Sequence, residues 1–169
     1  MELFSEIKPT DLRESYVKLI GQDWALLTAE KNGVANTMTI SWGQFGVMWG
    51  MDVVVVGVRP QRFTKEFVDA ASAFSVSFFD SSFKDTLSYL GTVSGRDEPK
   101  IEKSGLTLCQ MDGTPAFAEA HTIITAEKVF AQPLLEESFL QTSTVNSWYP
   151  EKDFHTLYFG RILSVRVRN

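Results

Sequence analysis

Asn36-Thr-Met-Thr-Ile-Ser-Trp42, followed by Val53-Val-Val-Val-Gly-Val58, is the stretch that decides the fold. In the first segment Met38, Ile40 and Trp42 share one face, and Thr37, Thr39 and Ser41 share the other. That is the period of two of a half-buried strand. The second segment is β-branched almost throughout and reads as a strand buried on both faces, ended by Arg59-Pro60. Upstream, the apolar run Trp24 to Glu30 precedes Lys31-Asn32-Gly33, and Asn-Gly between β-rich segments signals a hairpin. Downstream, Ala73 to Phe79 alternates again with Phe74, Val76 and Phe78 together, while His121 to Phe130 and His155 to Val167 read as long strands.

Short helices fall between these strands. Thr64 to Ala71 is predicted as a helix with Thr64 as its N-cap. Phe83 to Leu90 places Phe83, Leu87 and Leu90 on one stripe. Gly91 to Asp97 reads as a loop, and Asp97 to Lys103 as a short helix closed by Gly105. In the stretch Gln132 to Tyr149, Glu136 to Gln141 suits one or two helical turns. Six or so antiparallel strands with three inserted helices predict a mainly β fold. An antiparallel barrel with helical trim suits it, because closure removes exposed sheet edges.

The chain has 169 residues, 44% apolar and 22% charged, which predicts one domain over 1–169 with a real core. Sixteen basic against twenty-one acidic residues leave a net charge of −5, against a nucleic-acid partner. Cys109 is the one cysteine, so neither an internal disulfide nor a cysteine-built zinc site is available. Residues 32–51 carry no charge, but their asparagines, threonines and four glycines make a poor membrane span. The acidic first residues do not resemble a signal peptide, so a cytoplasmic, non-membrane protein is expected.

Three segments can carry chemistry. Asn36, Thr37, Thr39 and Ser41 cluster small hydrogen-bonding groups beside Trp42, Phe45, Met48 and Trp49. This charge-free combination suits a flat polar ring, and equally a solvent-facing strand side. Arg59, Arg62, Thr64 and Lys65 gather forked donors at a helix start, where backbone N–H groups and the helix dipole favour phosphate. The same pattern fits a basic turn with a capped helix. Gly91 to Lys100 combines close-approach glycines with Arg96 and Lys100. No nucleotide-binding glycine pattern, Gly-x-Ser-x-Gly elbow or His-x-x-x-His spacing is present. His121 and His155 keep only a haem-type alternative in play, and Cys109 reads as a small core residue.

Four segments taken together resemble the flavin reductase-like family, in its flavoredoxin-type branch. They are Asn36-Thr-Met-Thr-Ile-Ser-Trp-Gly43, Val58-Arg-Pro-Gln-Arg-Phe-Thr64, Gly91-Thr-Val-Ser-Gly-Arg-Asp97 with Lys100-Ile101, and His155-Thr-Leu-Tyr-Phe-Gly160. The resemblance runs from about Leu19 to the C-terminus. It implies an antiparallel split β-barrel that binds FMN, usually as a homodimer with the flavin near the interface. It also implies an NAD(P)H-dependent oxidoreductase passing hydride to the flavin N5, or alternatively a flavoredoxin-like electron carrier with a redox partner protein. Carried over, Asn36, Thr37, Met38, Thr39, Ser41 and Trp42 would line the flavin ring, with Asn36 and Trp42 the most typical contacts. Arg59, Arg62 and Thr64 would hold the phosphate, and Lys100 would approach the flavin. His155 lies in a family-like motif without an assigned role, and no catalytic residue is named. Two positions depart from the pattern: Pro99 and Arg161 stand where relatives often carry acids. Residues 132–149 do not match closely, so nothing transfers there.

Overall fold

The computed structural model describes residues 3–169. Strand β1 (Phe4–Ile7) is followed by a single helical turn, α1 (Tyr16–Lys18), which runs into a π-turn at Leu19–Asp23. Strands β2 (Ala25–Lys31), β3 (Val34–Ile40), β4 (Gly43–Met48) and β5 (Met51–Val58) come next. Helix α2 (Phe63–Ala70), strand β6 (Ala73–Phe78), and helices α3 (Lys84–Thr92) and α4 (Lys100–Ser104) follow. Then come β7 (Leu108–Met111), β8 (Thr114–Phe117), β9 (Thr122–Pro133), α5 (Thr142–Trp148) and β10 (Thr156–Arg168). None of these helices is long and apolar enough to cross a membrane.

The hairpins form where backbone chemistry allows them. Asn32 and Gly33 both take positive φ, 54° and 78°, the combination that matches the twist of a two-residue hairpin, and they join β2 to β3. Trp49-Gly50 and Asp112-Gly113 repeat this conformation between β4 and β5 and between β7 and β8. The main sheet is antiparallel in the order β3-β2-β6-β9-β10-β5-β4, with β1 beside β10.

One core collects inward side chains from along this path: Leu27 from β2, Ile40 from β3, Val56 from β5, Val76 from β6, Ile124 from β9 and Tyr158 from β10. The sheet therefore curls around a single interior. A second core lies on its outer side, where Leu26 and Ile123 pack against Leu87 and Leu90 of α3 and Phe117 of β8. Two-sided covering explains why Ala25 through Ala29 are all buried.

The antiparallel, mainly β architecture with short helices matches the sequence-based expectation. Closure does not follow from the pairing: among the described residues no ladder joins β3 to β4, so both ends of the path keep a free edge. Local differences have plain causes. Arg62, not Thr64, is the N-cap of α2, because Thr64 is drawn into the first turn and buried. Helix α3 runs on to Thr92, past Gly91, and α4 begins only after Pro99, which cannot lie inside a helix. Gly105 does close α4, in the left-handed conformation.

Candidate functional site

The free edge of β3 meets the C-terminal end of β5 at a cavity of about 270 Å³. Met38, Thr39, Ser41 and Trp42 line one side; Arg59, Arg62, Trp148 and His155 line the other. A smaller cavity of about 100 Å³ shares Met38 and Arg62 with it and extends between Thr64, Thr92 to Ser94 and Lys100. The two are a slot and its side chamber. A third cavity, about 570 Å³, opens on the other flank of Lys100 among Val34, Phe63, Phe67, Leu106 and Leu108.

The sequence-predicted residues divide by what their polar atoms do. Asn36 is buried, and its Nδ2 donates to Thr64 Oγ1 at 3.0 Å, which pins β3 to the start of α2. Thr37 lies off the cavity walls: its hydroxyl donates to the Leu27 carbonyl at 3.0 Å and lies 2.9 Å from the Thr28 hydroxyl. Thr39 donates to the Leu87 carbonyl, tying β3 to α3. Trp42 falls just beyond β3, so it turns from the core side to the cavity. Its ring lies 4.8 Å from that of His155, and Trp148 meets it edge-on at 5.0 Å and 81°.

The arginines part company. Arg59 pairs with Asp153, and its Nη2 donates to the Trp148 carbonyl at 2.8 Å. Its guanidinium therefore anchors the segment after α5. Arg62 donates from Nη1 to the Gly91 carbonyl at 2.9 Å and lines both cavities. Helix α2 has no side-chain cap at its N-terminus, so its first N–H groups are offered without a competing oxygen. Arg96 is drawn aside onto Glu66 at 2.5 Å and over the Phe63 ring at 4.5 Å.

Lys100 is buried, and its ammonium donates to the carbonyls of Leu90 at 2.8 Å and Val93 at 2.9 Å, fastening the 91–100 loop onto α3. Burial, with the Arg62 charge nearby, brings its pKa down to about 8. His155 lies over Gly57, where a Cβ would come within 3.3 Å of its ring, and its Nδ1 is 2.8 Å from the Tyr149 hydroxyl. Burial and then the Arg59 charge bring its pKa down to about 4, so the imidazole is neutral at physiological pH. Asp153 is held below the usual carboxylate range by Arg59 and Gln61.

Two features carried no readable signal in sequence. Trp148 belongs to a stretch without periodicity, and the Arg59–Asp153 pair joins residues distant in the chain. Their proximity follows only from the pairing of β5 with β10.

The sequence model of the flavin reductase like domain matches residues 17–169. An FMN-binding domain of a flavin reductases-like enzyme from Shewanella baltica superposes with a TM-score of 0.71 at 14% identity, covering 98% of this chain and 77% of that one. Flavoredoxin of Desulfovibrio vulgaris gives 0.68 at 18% identity, over 96% and 77% of the two chains. The styrene monooxygenase flavin reductase of Pseudomonas putida gives 0.63 at 18%, over 86% and 79%. At such identities the likeness is one of fold. No curated protein matches the chain.

Proposed function

The chain belongs to the flavin reductase-like family, and from that premise we propose that it is an FMN-dependent oxidoreductase drawing on NADH or NADPH. One observation carries the reading. An aromatic-walled slot along a free strand edge shares Met38 and Arg62 with a neighbouring chamber lined by the uncapped start of α2. The two halves suit the two halves of FMN. An edge strand presents alternating N–H and C=O groups, which complement the donors and acceptors of the flavin's pyrimidine rim. The first turn of α2, with Arg62, suits a phosphate dianion. When bound, FMN would supply the redox chemistry, accepting a hydride and passing on its two electrons with release of the proton.

The chain's own residues bind and shield. Trp42 and His155 line the slot with adjacent ring faces. The neutral imidazole adds no further charge to the wall that carries Arg59 and Arg62, while Asn36 and Lys100 fix β3 and the 91–100 loop around the chamber. No side-chain acid is required for direct hydride transfer, and none is assigned. The curl of the sheet around one core, with β3 and β4 left as free edges, supports a split-barrel description. The family's usual homodimer is proposed here too, on the cluster that exposed Trp49 and Phe130 form with half-buried Phe159. An FMN electron carrier serving a redox partner protein is the second reading; Trp148 across the slot favours it by narrowing room for a nicotinamide.

The deciding experiment is an anaerobic visible spectrum of the FMN-loaded protein, before and after NADH and then NADPH. Rapid bleaching of the flavin band is expected. A band that persists until dithionite is added moves the assignment to the carrier. Failure to bind FMN at micromolar concentration overturns both.

A further inference from the structure

Residues 132–149 carry no transferable motif, yet Tyr149, the residue after α5, reaches a group in the slot wall. Its hydroxyl lies 2.8 Å from Nδ1 of His155, inside the protein. The phenol ring is buried and held on several sides: the Phe154 and Phe139 rings lie 4.8 and 5.7 Å from it, and the Arg59 guanidinium stands 5.1 Å above it. The Tyr149 N–H donates to the Val145 carbonyl at 2.8 Å, which fixes the backbone beneath the ring. The imidazole is held as firmly. Tyr149 meets it edge-on at 5.6 Å and 79°, Trp42 leans over it at 4.8 Å and 33°, and Gly57 passes beneath.

The direction of the Tyr149–His155 bond follows from counting protons. Burial raises the Tyr149 pKa, so the phenol keeps its proton. Burial lowers that of His155 to about 4, so at neutral pH the imidazole carries one ring proton, on one nitrogen. A buried hydroxyl proton needs an acceptor, and among the described residues the one partner of the Tyr149 hydroxyl is Nδ1. With the ring proton on Nδ1, the phenol oxygen would accept it and the phenol's own proton would be stranded in the interior. Nδ1 therefore accepts, and the ring proton belongs to Nε2. Nε2 has no hydrogen-bond partner among the described residues, and it is not one of the side-chain atoms sealed away without one. It faces the open space that the ring lines, the slot.

We propose that Tyr149 is a positioning residue of the slot: its hydroxyl holds His155 in the single tautomer that presents Nε2–H, so the wall offers a ligand one fixed, uncharged hydrogen-bond donor. That donor would meet an acceptor on the bound flavin; in this the inference rests on the flavin reading above and deepens it. A donor fixed before the ligand arrives needs no reorientation on binding. A ligand that carries a donor at that point leaves both N–H groups unpaired and is rejected.

The test begins without cofactor. The chain has two imidazoles, His121 and His155, and in protein labelled with nitrogen-15 histidine the ring shifts report which nitrogen of each is protonated. His121→Gln assigns the two sets of signals. In the wild type at neutral pH, His155 is expected to show a protonated Nε2 and an unprotonated Nδ1, with no averaging between tautomers. Tyr149→Phe keeps the ring and removes the bond, so the two nitrogens should move toward averaged shifts. FMN and riboflavin should each bind that variant about two- to tenfold more weakly, and equally so, because the phosphate is not involved. Averaged shifts or an Nδ1–H tautomer in the wild type overturn the assignment without any variant, and so do unchanged shifts in Tyr149→Phe. A loosened tautomer with unchanged affinity for both flavins overturns the donor's part in holding the ligand. Failure of the wild type to take up FMN overturns the flavin reading alone, since the nitrogen shifts decide the tautomer without it.

Discussion

At His155 the sign of the proton linkage can be worked out in full. Its ordinary pKa of 6.5 falls to about 4 on folding, because burial and the Arg59 charge both oppose a second positive charge. The unfolded chain therefore binds more protons than the folded one between these values, so stability is lost as pH falls from 6.5 toward 4. Between pH 7.5 and pH 5 the loss expected from this residue is about 1–2 kcal/mol. The carboxylates held low, Asp69, Asp112 and Asp153 among them, weaken folding only at lower pH, so the window belongs to the imidazole. Urea titrations at the two pH values should show the loss in wild-type protein and a much smaller one in His155→Gln. An equal loss in the variant would mean that another group titrates there. The sequence marked His155 as part of a motif, but its neutrality was not legible. That depends on burial and on the Arg59 charge, which only the folded chain brings to it. For Lys100 the sequence showed a cation in a glycine-containing loop, but not that its ammonium would donate to the carbonyls of Leu90 and Val93.

Among elements, the loop between α3 and α4 is packed tightly against β3 at a glycine. At Gly95 an added Cβ would lie 2.6 Å from Asn36 Oδ1 and 3.2 Å from Phe63 Cδ1. Asn36 cannot swing away cheaply, since it is buried and bonded to Thr64. Gly95→Ala should therefore push Asn36 off Thr64 and shift β3 against α2. The expected cost is about 1–3 kcal/mol of folding stability, as for other overpacked sites. FMN affinity should fall by about tenfold, equivalent to about 1.4 kcal/mol. Fluorescence titration with FMN checks the affinity, and denaturant unfolding checks the stability. A variant that binds FMN as the wild type does would place the loop outside the cofactor chamber. The strand elements were readable because their signals are local: alternation over Asn36 to Trp42, the valine run in β5 and the Asn32-Gly33 turn need no distant partner. Segment 132–149 was not, because α5 is held by Arg59 and by burial of Val145 and Tyr149, which leave no period in the chain.

Taken as a whole molecule, the protein leaves an aromatic surface that its own fold does not cover. Trp49 sits at the tip of the β4–β5 hairpin, with ring centroids 5.6 Å from Phe130 and 5.7 Å from Phe159. Val47, Met48 and Phe130 around it are exposed, as is Leu163 further along β10. Scattered apolar residues on a surface need no explanation, but a contiguous aromatic cluster at the end of a sheet does. The net charge of −5 is small enough not to keep two copies apart. A twofold dimer would place the same cluster of each copy in one interface, since closed pairs use self-complementary patches. Light scattering of the wild-type protein should give twice the mass of the chain. Trp49→Glu with Phe130→Glu should give the single mass, because paired carboxylates in an apolar contact cost more than the contact returns. Both substitutions lie on exposed side chains outside the two cores, so the folded content seen by circular dichroism should stay as in the wild type. A wild type that runs as a monomer with FMN bound would mean that the flavin slot is complete within one chain and that the aromatic cluster serves another partner.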